Sequence, residues 1–274
     1  MALYISNIVS DKEVTTDIKT LIPDAGVRRR MSRVVKFAVA TAVECVGGVE
    51  NIDRLDAIIT ATGFGCLADS EKFLRNINND REELLNPTPF IQSTFNTVGG
   101  QIAMSRHNHC YNMTYVNRGH SFEDALLDAY MKAADGEAGR ILVGGFDERT
   151  DSQYAIMQRM GAFRDKECGE GAVFALLTAE RTKESIAEIS AIHFPETMIS
   201  PKDCISRYAS ADDAVIVTES DCDCGKFPTA SSVMFAKGVE LIAQGAKEVL
   251  VYNTLFNAAP AITVLRCIGL SSYR

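Results

Sequence analysis

Apolar and polar positions follow two rhythms along this chain, and each rhythm predicts an element. Over residues 121–134, Phe122, Ala125, Leu126, Ala129, Tyr130 and Ala133 recur at the spacing of one helix face. Ser121 with Asp124 reads as a capping box, with Ser121 as the N-cap. Residues 31–46 are apolar almost all round after Ser32, the pattern of a buried helix. Residues 93–104, built on Thr97, Gly99, Gly100 and Ala103, predict a helix beyond the breaks at Pro87 and Pro89. Residues 230–244 carry only Lys237 and Glu240 as charges, so this helix is expected between sheets. Short apolar runs rich in β-branched residues predict strands at 3–8, 56–62, 112–116, 140–145, 173–178, 186–194, 213–218, 248–252 and 261–267.

The order of these elements repeats. DAIITATG from Asp56 matches DAVIVTES from Asp213, and both predict buried strands. The helix from Ser121 leads into RILVGG, as the helix from Ala230 leads into EVLVYN. A repeated strand–helix–strand unit implies right-handed crossovers and packed α/β layers. The second copy is compressed: strand and helix start at 56 and 121 in the first, at 213 and 230 in the second. The expected division is a first half over 1–180 and a second over 181–274, packed as one structural unit.

Charge narrows the function. Among 274 residues, 28 are Lys or Arg and 36 are Asp or Glu, a net charge of −8. An acidic chain is poorly suited to nucleic acid, whose phosphates require a basic face. The one dense basic run, Arg28, Arg29 and Arg30 with Arg33 and Lys36, is fitted to a small acidic partner. Apolar runs fall short of the ~18 residues that a membrane span needs. The first residues lack the basic-then-apolar order of a signal peptide, so the eight cysteines are expected as reduced thiols of a cytoplasmic protein. His107-Asn108-His109-Cys110 and Cys222-x-Cys224 match no metal-ligand spacing, and the glycine turns at Gly63 and Gly144 lack phosphate-loop spacing. Neither a metal nor a cofactor is expected.

Five stretches in order carry a resemblance: Arg30-Met31-Ser32-Arg33 opening a small-residue helix, PTPFIQSTFNTVGGQIA from Pro87, the strand–turn–helix–strand block 112–145 ending in Gly-Gly, GEGA from Gly169, and NTLFNAAPAITVLR from Asn253. Together they resemble the β-ketoacyl synthases. The resemblance implies the α/β thiolase-like fold, with duplicated halves in five layers, α-β-α-β-α. It also implies a cysteine nucleophile at the N-terminus of a buried helix, where the helix dipole favours thiolate and backbone N–H groups form an oxyanion hole. Counting from Asn112 and back from Gly144, that position falls on Gly119, which has no nucleophile. The family's two malonyl-decarboxylating histidines fall at the turn holding Glu219 and at Lys226. A cysteine restored at 119 is expected to place a thiol at the helix N-terminus.

The expectation is therefore a non-catalytic subunit. It is similar to the chain-length factors that pair with an active ketosynthase in fatty acid or polyketide biosynthesis, including aryl polyene pigment pathways. Its expected partners are a ketosynthase, in a homo- or heterodimer through the strand near 112–116, and an acyl carrier protein docked at Arg28, Arg29, Arg30 and Arg33. Two alternatives stand beside it. One is an acyltransferase or condensing enzyme working through Ser121 with His120, or through Cys110. The other is a homodimeric module that binds acyl groups or carrier protein.

Overall fold

The computed structural model describes residues 2–79, 83, 85–163, 167–257 and 259–269. The strands are β1 Leu3–Ser10, β2 Ala57–Ala61, β3 Tyr111–Tyr115, β4 Arg140–Asp147, β5 Gly171–Thr178, β6 Ala187–His193, β7 Val215–Val217, β8 Glu248–Asn253 and β9 Ala261–Cys267. The helices are α1 Ile18–Leu21, α2 Ala25–Arg30, α3 Arg33–Cys45, α4 Leu67–Asn79, α5 Pro87–Gln92, α6 Thr97–Met104, α7 Ser121–Ala134, α8 Asp151–Arg159, α9 Pro201–Tyr208 and α10 Ser231–Ala243.

All the strands join one sheet in the order β3-β2-β4-β5-β1-β6-β9-β8-β7. The duplication is visible in that order. Outward from the central pair it runs β1-β5-β4-β2 on one side and β6-β9-β8-β7 on the other. The equivalent strands β1 and β6 meet antiparallel at the junction, Leu3 opposite Ile189 and Ile5 opposite Ala187. The first half carries β3 beyond β2, pairing parallel, whereas β7 ends the sheet among the described residues.

Strand alternation sorts the side chains into three cores. On β4, Ile141 and Val143 face the central core and Leu142 the first outer one; on β8, Val249 and Val251 face the centre and Leu250 and Tyr252 the second outer one. Helices α3 and α6 cover one outer face, α9 the other, and α7 and α10 fill the middle. This is the five-layer α-β-α-β-α thiolase-like arrangement. Phe122 of α7 meets Phe235 of α10 edge to face, with centroids 5.5 Å apart, so the equivalent helices of the two halves lock together. Each such fully buried large side chain contributes roughly 1.5–3 kcal/mol.

Three expectations change. Pro87 starts a helix as well as breaking one: it occupies the first turn of α5, where a missing N–H costs nothing, and Asn86 caps Thr88 N at 3.0 Å. The helix sought over 93–104 begins at Thr97. The run 213–218 gives only the three residues of β7, of which Val217 alone is buried, because this strand lies at the sheet edge. Among the described residues no helix is long and apolar enough to cross a membrane.

Candidate functional site

The strands β2, β4 and β8 send their carboxyl ends toward one region. There the turn into α7, the turn into α10 and the loop after β8 converge. The 3₁₀ turn Arg118–His120 runs straight into α7 without a break and packs against the 3₁₀ turn Pro228–Ala230, which runs into α10. Arg118 takes up φ +50°, a left-handed conformation uncommon outside glycine. This sharp reversal swings the chain from strand to helix. Cys110 sits at the other end of β3 from this turn. It is half-buried, and burial raises its thiol pKa. It is remote from the helix N-terminus that would activate it.

Ser121 does not cap α7. His120 holds the N-cap position without a side-chain cap, and Ser121 is already helical. The continuous 3₁₀-to-α turn explains the difference. The Ser121 hydroxyl is fully buried, accepts from Asn117 N at 2.8 Å and donates toward the carbonyls of Thr62 (2.9 Å) and Arg118 (2.8 Å). The His120 ring turns elsewhere: its Nε2 lies 3.1 Å from the Ala259 carbonyl, and it packs in a T-shaped arrangement with Phe194, centroids 5.8 Å apart. Burial lowers its pKa, favouring the neutral ring. Ser121 and His120 are neighbours in sequence, but each is committed to a different set of partners.

Gly119 is buried, and the loop after β8 closes over it. A Cβ built there would lie 1.7 Å from the Leu255 carbonyl oxygen and 2.6 Å from Asn257 Nδ2. Real Cβ atoms do not approach backbone oxygen so closely, so only glycine fits. A cysteine at 119 would therefore have to displace the loop, contrary to the expectation of a thiol simply restored at the helix end. Asn253, at the end of β8, fastens the closure. Its Nδ2 donates to the Gly119 carbonyl at 2.7 Å and to Glu123 Oε1 at 3.0 Å, while its Oδ1 accepts from Leu255 N at 2.9 Å. Phe256 beside it adopts φ +55°.

Two buried carboxylates that sequence reasoning passed over hold this region. Asp147, at the end of β4, is wholly buried. It accepts from Thr62 Oγ1 (2.8 Å), Gly63 N (2.9 Å), Phe64 N (3.0 Å), Thr229 N (3.0 Å) and Thr229 Oγ1 (2.8 Å). One side chain thus ties the loop after β2 to the turn before α10. Burial pushes its pKa up, and these donors pull the other way. Glu123, in the first turn of α7, is held at about 7, raised chiefly by burial and lowered in part by its own backbone and by Ser231 and Asn253. Its Oε2 has no hydrogen-bond partner. Asp147 follows the Gly-Gly pair closing the first repeat, and Asn253 opens the last stretch of the resemblance. Those were the signals available for them.

Glu219 and Lys226 line one open cleft of about 480 Å³, together with Thr218, Ser220, Tyr252 and Thr254. Thr254 precedes Leu255, so this cleft adjoins the loop that seals Gly119. The basic run is partly engaged within the chain. Arg33 forms a two-pronged ion pair with Glu170 of the GEGA turn, and Arg28 Nη1 donates to the carbonyls of Ile22 (2.5 Å) and Pro23 (3.2 Å). Arg29 Nε donates to the Ala25 carbonyl at 3.2 Å, whereas Arg30 lines a groove with Ile91 and Met104. Among the described residues no group of three or more His, Cys, Asp and Glu side chains is placed to hold a metal ion.

Residues 8–200 match the family model described as the β-ketoacyl synthase N-terminal domain. No curated protein matches the chain. Among solved structures, the ishigamide ketosynthase/chain length factor is similar over 98% of this chain and 100% of its own, with a TM-score of 0.76 at 18% identity. The complex of a ketosynthase with its chain length factor from Xenorhabdus doucetiae is similar over 97% and 99%, with a TM-score of 0.61 at 14% identity. A β-ketoacyl synthase from Burkholderia phymatum STM815 is similar over 98% and 100%, with a TM-score of 0.72 at 12% identity.

Proposed function

The chain belongs to the β-ketoacyl synthase family, and from that membership we propose that it is a non-catalytic, chain-length-factor-like subunit that pairs with an active ketosynthase. One observation carries the reading. The position that should bear the nucleophile is a glycine whose side-chain space is taken by the Leu255 carbonyl. A condensing enzyme needs that space for a thiol and for the acyl carbon it attacks. Here the space for the thiol is filled by the Leu255 carbonyl and the Asn257 side chain. Glu219 and Lys226 stand where the resemblance expects histidines, so the second reaction centre is also changed. The two halves, 1–180 and 181–274, act as one unit that supplies shape and surface.

Its partner is a ketosynthase, joined through the free edge of β3, and the substrate reaches the pair on an acyl carrier protein. Similar solved structures include complexes of a ketosynthase with a chain length factor and of a ketosynthase with an acyl-carrier protein. Those assemblies support the pairing. Arg29 and Arg30, less engaged than Arg33, are the residues of the basic run best placed to meet an acidic carrier. The product is of the fatty acid or polyketide type.

The test is reconstitution. The purified chain, incubated with an acyl thioester donor and malonyl-carrier protein, is expected to form no covalent adduct and no condensation product. Mixed with an active ketosynthase of such a pathway it is expected to co-elute with it and to alter the length of the product. A stoichiometric acyl adduct on Ser121, His120 or Cys110 of the isolated chain would overturn the reading.

A further inference from the structure

A polar pocket lies at the opposite end of β4 from the site above. Arg140 opens that strand and Asp147 closes it, about 23 Å away at roughly 3.3 Å per residue. The pocket measures about 320 Å³ and is formed by β1, the start of β4, the end of β5 and the C-terminal end of α3. Val46 and Leu176, both buried, give it an apolar wall.

Three polar side chains gather there. Arg140 shares the sheet face of Leu142, two residues on, which α3 covers. Thr178 stands directly opposite Arg140 in the antiparallel pair of β4 with β5. Directly opposed residues share a face, with Cβ atoms about 4.5–5.5 Å apart. Ser6 is the extra residue where β1 bulges against β5, and its Oγ lies 3.3 Å from Thr178 Oγ1. Whichever hydroxyl donates in that pair, the other keeps an O–H to offer. Asn7 Nδ2 donates to the Cys45 carbonyl at 2.8 Å, which pins the end of α3 beside the pocket.

Arg140 is short of acceptors. Its Nε is buried and has no hydrogen-bond partner. Arg33, Arg75, Arg106 and Arg266 each pair with a carboxylate, whereas Arg140 pairs with none among the described residues. Asp56 accepts from the Arg140 backbone N–H at 2.8 Å, not from its guanidinium. Glu184 stands on the rim, held by its own backbone N–H and by Thr182. A buried N–H without an acceptor costs free energy that a bound acceptor recovers. Nε–H and the adjacent Nη–H form a planar fork that matches the two oxygens of a carboxylate. Glu184 and the negative end of the α3 dipole favour a guest with one negative charge over a phosphate dianion.

We propose that Arg140, with the hydroxyls of Thr178 and Ser6, is a binding site for a small organic monocarboxylate. The carboxylate sits on the guanidinium fork and accepts from the hydroxyl left over; the apolar body lies against Val46 and Leu176. The site shares no residue with the turn at Gly119 or the edge of β3, so it stands independently of the subunit role.

The probe is sodium hexanoate, with hexanamide as its uncharged counterpart and inorganic phosphate as a rival anion, all at one ionic strength. Isothermal titration of the whole chain should give one-site binding of hexanoate. Hexanamide should bind at least about tenfold more weakly, and so should hexanoate to an Arg140→Gln variant whose circular dichroism matches wild type. A second readout needs no variant. Phenylglyoxal modification of Arg140, followed by peptide mass spectrometry, should be slowed by hexanoate and not by hexanamide, while the exposed Arg54 reacts equally in every sample. Absence of saturable hexanoate binding, equal affinity in Arg140→Gln, equal affinity for hexanamide, protection by phosphate as strong as by hexanoate, or no protection of Arg140 would each overturn the proposal.

Discussion

Glu123 puts an acid in the centre of the molecule, where a charge is costly. Its carboxyl is fully buried between the starts of α7 and α10, with Asn253 hydrogen-bonded to one oxygen and the Ser231 hydroxyl as a further polar neighbour. Burial raises the folded-state pKa to about 7 from an ordinary value of 4.5. The native state therefore binds more protons than the unfolded state between these values, and stability falls as pH rises through that window. Below pH 4.5 both states are protonated and this loss is absent; above about 7 it is complete. The shift corresponds to roughly 3 kcal/mol. Denaturant melts at pH 5 and pH 8 should show wild type losing about 2.5 kcal/mol more than Glu123→Gln, because part of the loss has already occurred by pH 5. Equal pH dependence in the two proteins would show that the buried charge is relieved elsewhere. Position 119 was readable as a glycine where the family resemblance expects a nucleophile, by counting from Asn112 and Gly144. Its sealing by Leu255 was not, because that contact joins residues 136 apart and leaves no local pattern.

At the level of elements, β4 acts as a clasp. Asp147 at its end gathers donors from the loop after β2 and from the turn before α10, so three segments from both halves meet on one carboxylate. Replacing Asp147 by Asn keeps the shape but presents N–H groups to N–H donors. One or more buried donors would then be stranded, at a cost of about 3 kcal/mol. Chemical denaturation should show that loss with unchanged far-UV circular dichroism of the native state; a loss under about 0.5 kcal/mol would mean that the clasp is redundant. The buried strands and the long helices α3, α7 and α10 were legible in the sequence because burial imposes strict patterns on them. Helices α8 and α9 were not. Helix α8 buries no residue and α9 only Cys204, so neither needs a strong apolar face. The start of α7 differs from its sequence pattern for a physical reason: Ser121 has the chemistry of a cap, but a 3₁₀ turn ahead of it moves the cap to His120.

At the scale of the whole molecule, the duplication leaves an asymmetry that bears on assembly. The first half ends on β3 and the second on β7. Strand β7 has three residues, short enough to be a poor template for pairing. Strand β3 has five, with Met113 41% exposed, and Val116 just beyond it is 42% exposed. Beside it stands the exposed Met104 of α6, a helix that packs against β3, and the exposed Ile91 of α5 shares a groove with Met104. An uncharged edge next to exposed apolar side chains is a surface that natural sheets cover. The proposed subunit role supplies the cover, another member of the family pairing β3 to β3 so that two sheets become continuous. Charge on such an edge opposes pairing without touching the core. Met113→Lys with Val116→Lys should therefore leave the fold intact by circular dichroism and melting temperature. It should also abolish co-elution with the ketosynthase and any dimer of the chain itself in light scattering. A double variant that assembles as tightly as wild type would move the interface away from β3, and with it the mode of pairing proposed for this chain.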